Sequence, residues 1–277
     1  MTDRMLVVGA SGHLGRKTAA RAMAAGWMVV GTCFSSAGEL GEVRLDIRDA
    51  AAVRELVRRV FPSVVVHTAA GRDDWRVIAD GAAHVAAAAY SVGARLLHVS
   101  SEAVFSGREV EYDETAQPDP VYFYGAAKAA AETAVRAIDP AAAVVRTSLI
   151  VGDGRGAHET LTHDLIAGRR SGALFTDQIR KPVHVDDLAD ALLELSGNDY
   201  RGVLNVAGTD PISRYDLGVL VARRDGLDPA LIPAARAADQ GLSVPADLRL
   251  RTGRAEALLC TRLRGAQEFL AGESVGV

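Results

Sequence analysis

Two cysteines, Cys33 and Cys260, are all that this 277-residue chain holds. That is too few for a disulfide framework, and it points to a reducing compartment. No apolar run approaches the ~18 residues that a membrane span needs. Met1-Thr-Asp-Arg leads straight into a short apolar segment, without the longer stretch and cleavage site of a signal peptide. The expectation is a soluble, cytoplasmic protein with no membrane partner. A basic excess is missing too, since the formal net charge is -4, which argues against a nucleic-acid partner. Arg58-Arg59, Arg169-Arg170 and Arg223-Arg224 are isolated pairs and read as solvated helix faces. The seven histidines form no cluster of metal-ligand spacing: His158 and His163 are five apart, and His67 and His98 sit in strand-like runs. No metal is expected. Ser106 and Ser148 lie outside any G-x-S-x-G pattern, so a serine hydrolase is not supported.

Apolar residues make up 49% of the chain, enough for a substantial core. Strand-length apolar runs (Met5–Val8, Met28–Gly31, Val64–His67, Leu96–Ser100, Val144–Thr147) alternate with Ala-, Arg- and Glu-rich stretches (His13–Ala25, Ala50–Val60, Ala79–Tyr90, Tyr124–Ile138). The first set reads as parallel strands buried on both faces, the second as helices. Their alternation implies an α/β fold with right-handed crossovers, a Rossmann-type doubly wound parallel sheet. Asp49 is placed to cap the second helix, and Gly26 and Gly93 to end helices in the left-handed conformation. The pattern weakens after residue 150. Residues 1–150 are therefore read as the dinucleotide-binding domain, joined by a returning helix and strand from about 182–207. Residues 151–277 are read mainly as a smaller C-terminal substrate-binding lobe, its last part helical.

Two motifs carry chemistry. Gly9-Ala-Ser11-Gly12-His13-Leu14-Gly15 follows the first strand directly. Gly12 lets backbone approach a pyrophosphate, Gly15 lets the helix pack tightly, and the helix N-terminus offers free N–H groups to phosphate. No acid follows the second strand at Thr32-Cys33-Phe34-Ser35-Ser36, where one would bind the ribose of NAD(H). Ser35 and Ser36 are hydroxyls suited to a 2′-phosphate, with Arg16 as a nearby cation, and NADP(H) is favoured over NAD(H). The second motif is Tyr124-Gly-Ala-Ala-Lys128, which sets a phenol and an ammonium one helical turn apart. The ammonium stabilises phenolate, so Tyr124 can donate a proton to a carbonyl oxygen. Ser101, at the end of the strand Leu96–Ser100, is placed to orient that oxygen.

With these motifs the chain resembles the extended short-chain dehydrogenase/reductases, and more narrowly the dTDP-4-dehydrorhamnose reductase family. Further matching stretches are Leu45-Asp46-Ile47, Val64–Ala70, Ser100–Gly107, Arg146-Thr147-Ser148 and Asp177–Leu195. The resemblance implies NAD(P)H-dependent reduction of the 4-keto group of a nucleotide-linked deoxysugar. It places Gly12, His13 and Leu14 at the pyrophosphate, Asp46 and Ile47 beside the adenine, and Ala69 and Ala70 at the cofactor ribose. Ser101, Tyr124 and Lys128 take the catalytic roles, and Glu102 stands near the sugar. Relatives are commonly homodimers. The chain departs from the pattern at Ile78, Ala103 and Leu149, three changes expected around one pocket. They keep open a non-catalytic NADP(H)-binding regulatory subunit, like that of methionine adenosyltransferase in the same family. A nucleotide-sugar epimerase is a further alternative.

Overall fold

The computed structural model describes residues 3–35, 42–71, 73–241 and 244–271. Its centre is a seven-stranded sheet of β1 (Arg4–Val8), β2 (Met28–Cys33), β3 (Val43–Arg44), β4 (Val64–His67), β5 (Arg95–Ser101), β6 (Ala143–Thr147) and β7 (Gly202–Asn205). All pairings are parallel, and the spatial order is β7-β6-β5-β4-β1-β2-β3. The order reverses direction between β4 and β1, so a crevice opens beyond the carboxyl ends of those two strands. The expected doubly wound parallel sheet is present.

Burial follows the strand period of two. Val7, Val66, Leu97 and Val145 face one side, packing with α1 (His13–Ala24) and α6 (Val185–Ser196). Val8, Val65, Leu96 and Val144 face the other, against α2 (Ala50–Val60), α3 (Gly81–Ser91) and α4 (Phe123–Ile138). Helix α2 starts where the Asp49 carboxylate accepts the N–H groups of Ala51 and Ala52. Before α3 the chain makes one π-helical turn, Arg76–Asp80, where regular helix was expected from Ala79.

The C-terminal lobe sits on α5 (Ala157–Ile166) and α7 (Arg214–Arg224), whose apolar faces meet around Leu165, Leu174, Ala222 and Ile232. Two-residue ladders stitch it together: Ile179–Arg180 with Ile212–Ser213, and Val183–His184 with Ile150–Val151. The expectation of a helical remainder is corrected. Beyond α7 only Gly253–Leu258 and Ala266–Leu270 form α-helix among the described residues. Pro229, Pro233, Pro245, Gly226 and Gly241 interrupt an otherwise helix-favouring composition. Among the described residues, no helix is long and apolar enough to cross a membrane.

Candidate active site

At the crevice between β1 and β4 lies a cavity of about 590 Å³, and it runs along the carboxyl edge of the sheet. The middle of its floor is the glycine turn. Gly9 has φ +91, and a Cβ there would stand 2.7 Å from the Ala69 nitrogen. At Gly15 a Cβ would lie 2.2 Å from the Gly9 oxygen. Any side chain at either position would wedge the turn, the helix and β4 apart. Helix α1 opens on Gly12 with no side-chain cap and no acidic residue in its first turn. Its first N–H groups therefore have no side-chain cap competing for them, and the helix dipole adds partial positive charge. Gly9, Ser11, Gly12, His13 and Leu14 line the cavity here, and Gly15 sits behind them as a packing position.

Asp46 and Ile47 line the cavity beyond the turn, as do Ala69 and Ala70 after β4. Arg48, which no motif singles out, also lines it. Its guanidinium lies 5.2 Å from the Phe34 ring centre and pairs with Asp46 at 2.8 Å and Asp74 at 3.2 Å. These bonds hold the Asp46 carboxyl below the usual carboxylate range. Two expectations shift. Ser35 is exposed and is not part of the cavity lining, whereas Thr32, Cys33 and Phe34 are; Ser36 lies outside the described residues. Arg16 is drawn away to Asp153, at 3.0 Å.

Tyr124, Lys128 and Ser101 meet at one end of the cavity. Tyr124 and Lys128 share one face of α4, with the Lys128 Nζ 6.0 Å from the phenol ring centre. Lys128 is buried and donates to the Val99 carbonyl at 3.0 Å. Burial pushes its pKa down to about 8, and the neighbouring Glu132 carboxylate opposes that. The Ser101 hydroxyl oxygen accepts from Ala103 N–H at 3.2 Å. Its own hydrogen remains available to donate into the cavity. The hydroxyl of Thr147, also lining the cavity, is buried without a protein partner. A buried hydroxyl left so is one that a ligand or water satisfies.

A buried polar network behind these side chains fixes α4 to the sheet. Glu132 lies two turns beyond Tyr124 and accepts from Arg146 at 2.7, 2.9 and 3.2 Å and from the Ser100 hydroxyl at 2.6 Å. Gly125 lets the helix approach the end of β5, since a Cβ there would be 2.1 Å from the Ala103 oxygen. Beneath Lys128, the register partners His67 and His98 are fully buried and share a 3.0 Å Nδ1···Nδ1 bond. Burial and the Lys128 charge drive the His67 pKa down to about 3, and burial with its charged neighbours pushes that of His98 well below the ordinary value.

Glu102 is the residue expected near a sugar. It is turned inward, 5% exposed, and is not part of the cavity lining. Its Oε1 lies 3.3 Å from the Arg180 Nε, and burial raises its pKa to about 7 while Arg180 opposes the rise. Ile78, Ala103 and Leu149, the three departures expected around one pocket, do not line the cavity either. Ile78 and Ala103 are buried, and Leu149 packs against Val151 and Ile212. The possible metal donors His13, Asp153 and Glu159 approach within 4.8 Å of one another. Arg16 and Arg224 already occupy the two carboxylates, so the group fits an ion-pair network rather than a cation.

A glycine-floored cavity with a Tyr/Lys pair at its far end, on a doubly wound sheet, is the arrangement of the extended short-chain dehydrogenase/reductases. The chain belongs to the RmlD substrate binding domain family, whose model matches residues 3–272. It is similar to the dTDP-4-dehydrorhamnose reductase of Mycobacterium tuberculosis (strain ATCC 25618 / H37Rv), with 34% identity over 82% of this chain and 77% of that protein. It is also similar to the methionine adenosyltransferase 2 subunit beta of Xenopus laevis, with 31% identity over 79% of this chain and 71% of that one. Its fold matches the crystal structure of dTDP-4-dehydrorhamnose reductase from Bacillus anthracis str. Ames in complex with NADP. There the TM-score is 0.83 and the identity 24%, with 98% of each chain covered.

Proposed function

We propose that the protein is an NAD(P)H-dependent reductase acting on the keto group of a nucleotide-linked sugar. The observation that carries this reading is a single cavity that holds an uncapped glycine-turn helix on its floor and Ser101, Tyr124 and Lys128 at one end. Gly12 lines the cavity without a side chain and so lets a pyrophosphate approach the backbone, while Gly9 and Gly15 let the turn and helix pack closely behind it. Bound there, a reduced nicotinamide supplies hydride to the substrate carbon. Ser101 donates a hydrogen bond to the carbonyl oxygen and holds it toward Tyr124. Tyr124 gives that oxygen its proton, and Lys128 stabilises the phenolate left behind. With its pKa at about 8, Lys128 is mainly an ammonium at neutral pH, as this role requires. Asp46, Ile47 and Ala69 border the adenosine half of the cavity, and Arg48 supplies a cation there.

NADPH is favoured over NADH in this reading. Thr32, Cys33 and Phe34 stand at the end of β2 in place of a ribose-binding acid, and Arg48 stacks on Phe34 beside them. The test is coenzyme consumption on mixing with dTDP-4-dehydrorhamnose and other keto-sugar nucleotides. Turnover with one of them, lost in Tyr124→Phe, supports the reading. Binding of coenzyme without turnover of any favours the second reading, a non-catalytic regulatory subunit, which the match to methionine adenosyltransferase 2 subunit beta motivates. That alternative requires stable co-purification with a catalytic partner.

A further inference from the structure

The dinucleotide turn is tied to the C-terminal lobe by one carboxylate. Asp153 lies in the loop between Val151 and α5, yet its Oδ1 sits 2.7 Å from Nε2 of His13, 140 residues away in the chain. Its Oδ2 takes Arg16 at 3.0 Å and stands 3.5 Å from the Lys17 Nζ. His13, Arg16 and Lys17 follow one another at helical spacing, so one carboxylate spans the first turn of α1. The loop that carries it is itself braced. Glu159, fully buried, accepts the N–H groups of Gly152, Gly154 and Gly156 at 3.1, 3.0 and 2.9 Å, and Arg224 of α7 pairs with it at 2.7 Å.

We propose that Asp153 is a positioning residue for the dinucleotide: it fixes the His13 ring at the pyrophosphate seat, and through its braced loop it links the C-terminal lobe to coenzyme affinity. This rests on the cavity binding NAD(P)H. With Nε2 committed to Asp153, the other edge of the His13 ring is the one left for the cavity it lines. Two effects of Asp153 oppose each other. Its negative charge repels a pyrophosphate. That charge is balanced by neighbouring cations and screened by solvent, and amounts to about threefold in affinity. Its hold on His13 keeps the Nδ1 edge turned to the seat, an edge that donates to phosphate as the imidazolium held between two anions, worth roughly tenfold. Positioning is the larger effect.

The experiment is a double-mutant cycle read as dissociation constants for NADPH, ADP-ribose and adenosine, with melting curves to confirm folding. Asp153→Ala loses the tenfold hold on His13 but is relieved of the threefold repulsion, so it is expected to weaken NADPH and ADP-ribose about threefold and to leave adenosine, which has no pyrophosphate, unchanged. Asp153→Asn keeps an acceptor for His13 and is expected to stay within about threefold of wild type. In a His13→Ala background only the repulsion is left to remove, so the further Asp153→Ala change is expected to tighten binding by about threefold. The proposal is overturned if Asp153→Ala binds NADPH as tightly as wild type, or if its penalty persists undiminished without His13. If Asp153→Ala does not fold, Asp153→Asn decides: binding tighter than threefold would show that charge, not positioning, governs. Wild-type protein that binds neither coenzyme overturns the functional reading itself, a result separable from an Asp153 effect that is simply missing.

Discussion

Acidification from pH 7 to pH 5 is expected to destabilise the folded chain through its buried histidines. His67 and His158 have pKa values near 3 in the folded protein against an ordinary 6.5, and His98 is shifted in the same direction. All three are depressed, so the unfolded chain takes up protons that the folded chain refuses. The stability they contribute is complete above about pH 6.5 and is lost as pH falls toward their folded values. pH 5 lies some 1.5 units below the ordinary value of the unfolded rings, and each unit is about 1.36 kcal/mol, so each ring costs about 2 kcal/mol. Glu102 works the other way. Its folded pKa of about 7 lies above the ordinary 4.5, so its contribution grows as pH falls through 7 and returns about 2 kcal/mol by pH 5. The net loss is about 4 kcal/mol, a large share of a typical domain's stability. Urea denaturation at both pH values measures it. His158 donates from Nε2 to the Arg214 carbonyl at 2.9 Å, and His158→Gln should shrink the pH 7 to 5 loss by about 2 kcal/mol, whatever it costs at pH 7. Equal stability at the two pH values would refute the reasoning, because it would mean that these rings titrate normally.

Other expectations follow from single contacts. Tyr124→Phe should abolish turnover of a keto-sugar nucleotide while the NADPH dissociation constant changes little; retained turnover would contradict the assignment of the proton donor. Gly125→Ala should cost about 1–3 kcal/mol in a denaturation experiment and lower activity, because the new methyl meets the Ala103 oxygen and moves α4. Arg146→Met leaves the Glu132 carboxylate buried and unpaired, so a loss of about 3–5 kcal/mol is expected in the same assay. Asp49→Ala removes the cap of α2 and should cost about 1 kcal/mol, with no effect on coenzyme binding.

What the sequence disclosed depended on how local each signal was. Val64–His67 and Ala50–Val60 are legible residue for residue, the first from an unbroken apolar run, the second from Asp49 and its Ala- and Arg-rich composition, while its left-handed end at Phe61 gives no sign in the sequence. Gly26 and Gly93 do take positive φ, because each ends a helix just before a strand. The two-residue ladders of the C-terminal lobe are too short to show a period, and its prolines and glycines break what the alanines favour. Nothing in the sequence brings Asp153, 137 residues on, to the side of Arg16, so the local pattern alone assigns that cation to a phosphate. Arg48 was missed for a similar reason: its stacking on Phe34 depends on β2 and β3 lying side by side. Ile78, Ala103 and Leu149 occupy positions near one pocket in the family pattern, but packing turns them away from the cavity. The His67–His98 contact follows from strand register, which pairs residues 31 apart.

The most direct test of the central claim is a crystal structure of the protein with NADPH. The account requires the pyrophosphate on the 9–15 turn and the nicotinamide ring beside the Tyr124 hydroxyl, with Lys128 within reach of its ribose. Density for the coenzyme elsewhere, or a ring directed away from Tyr124, would contradict it.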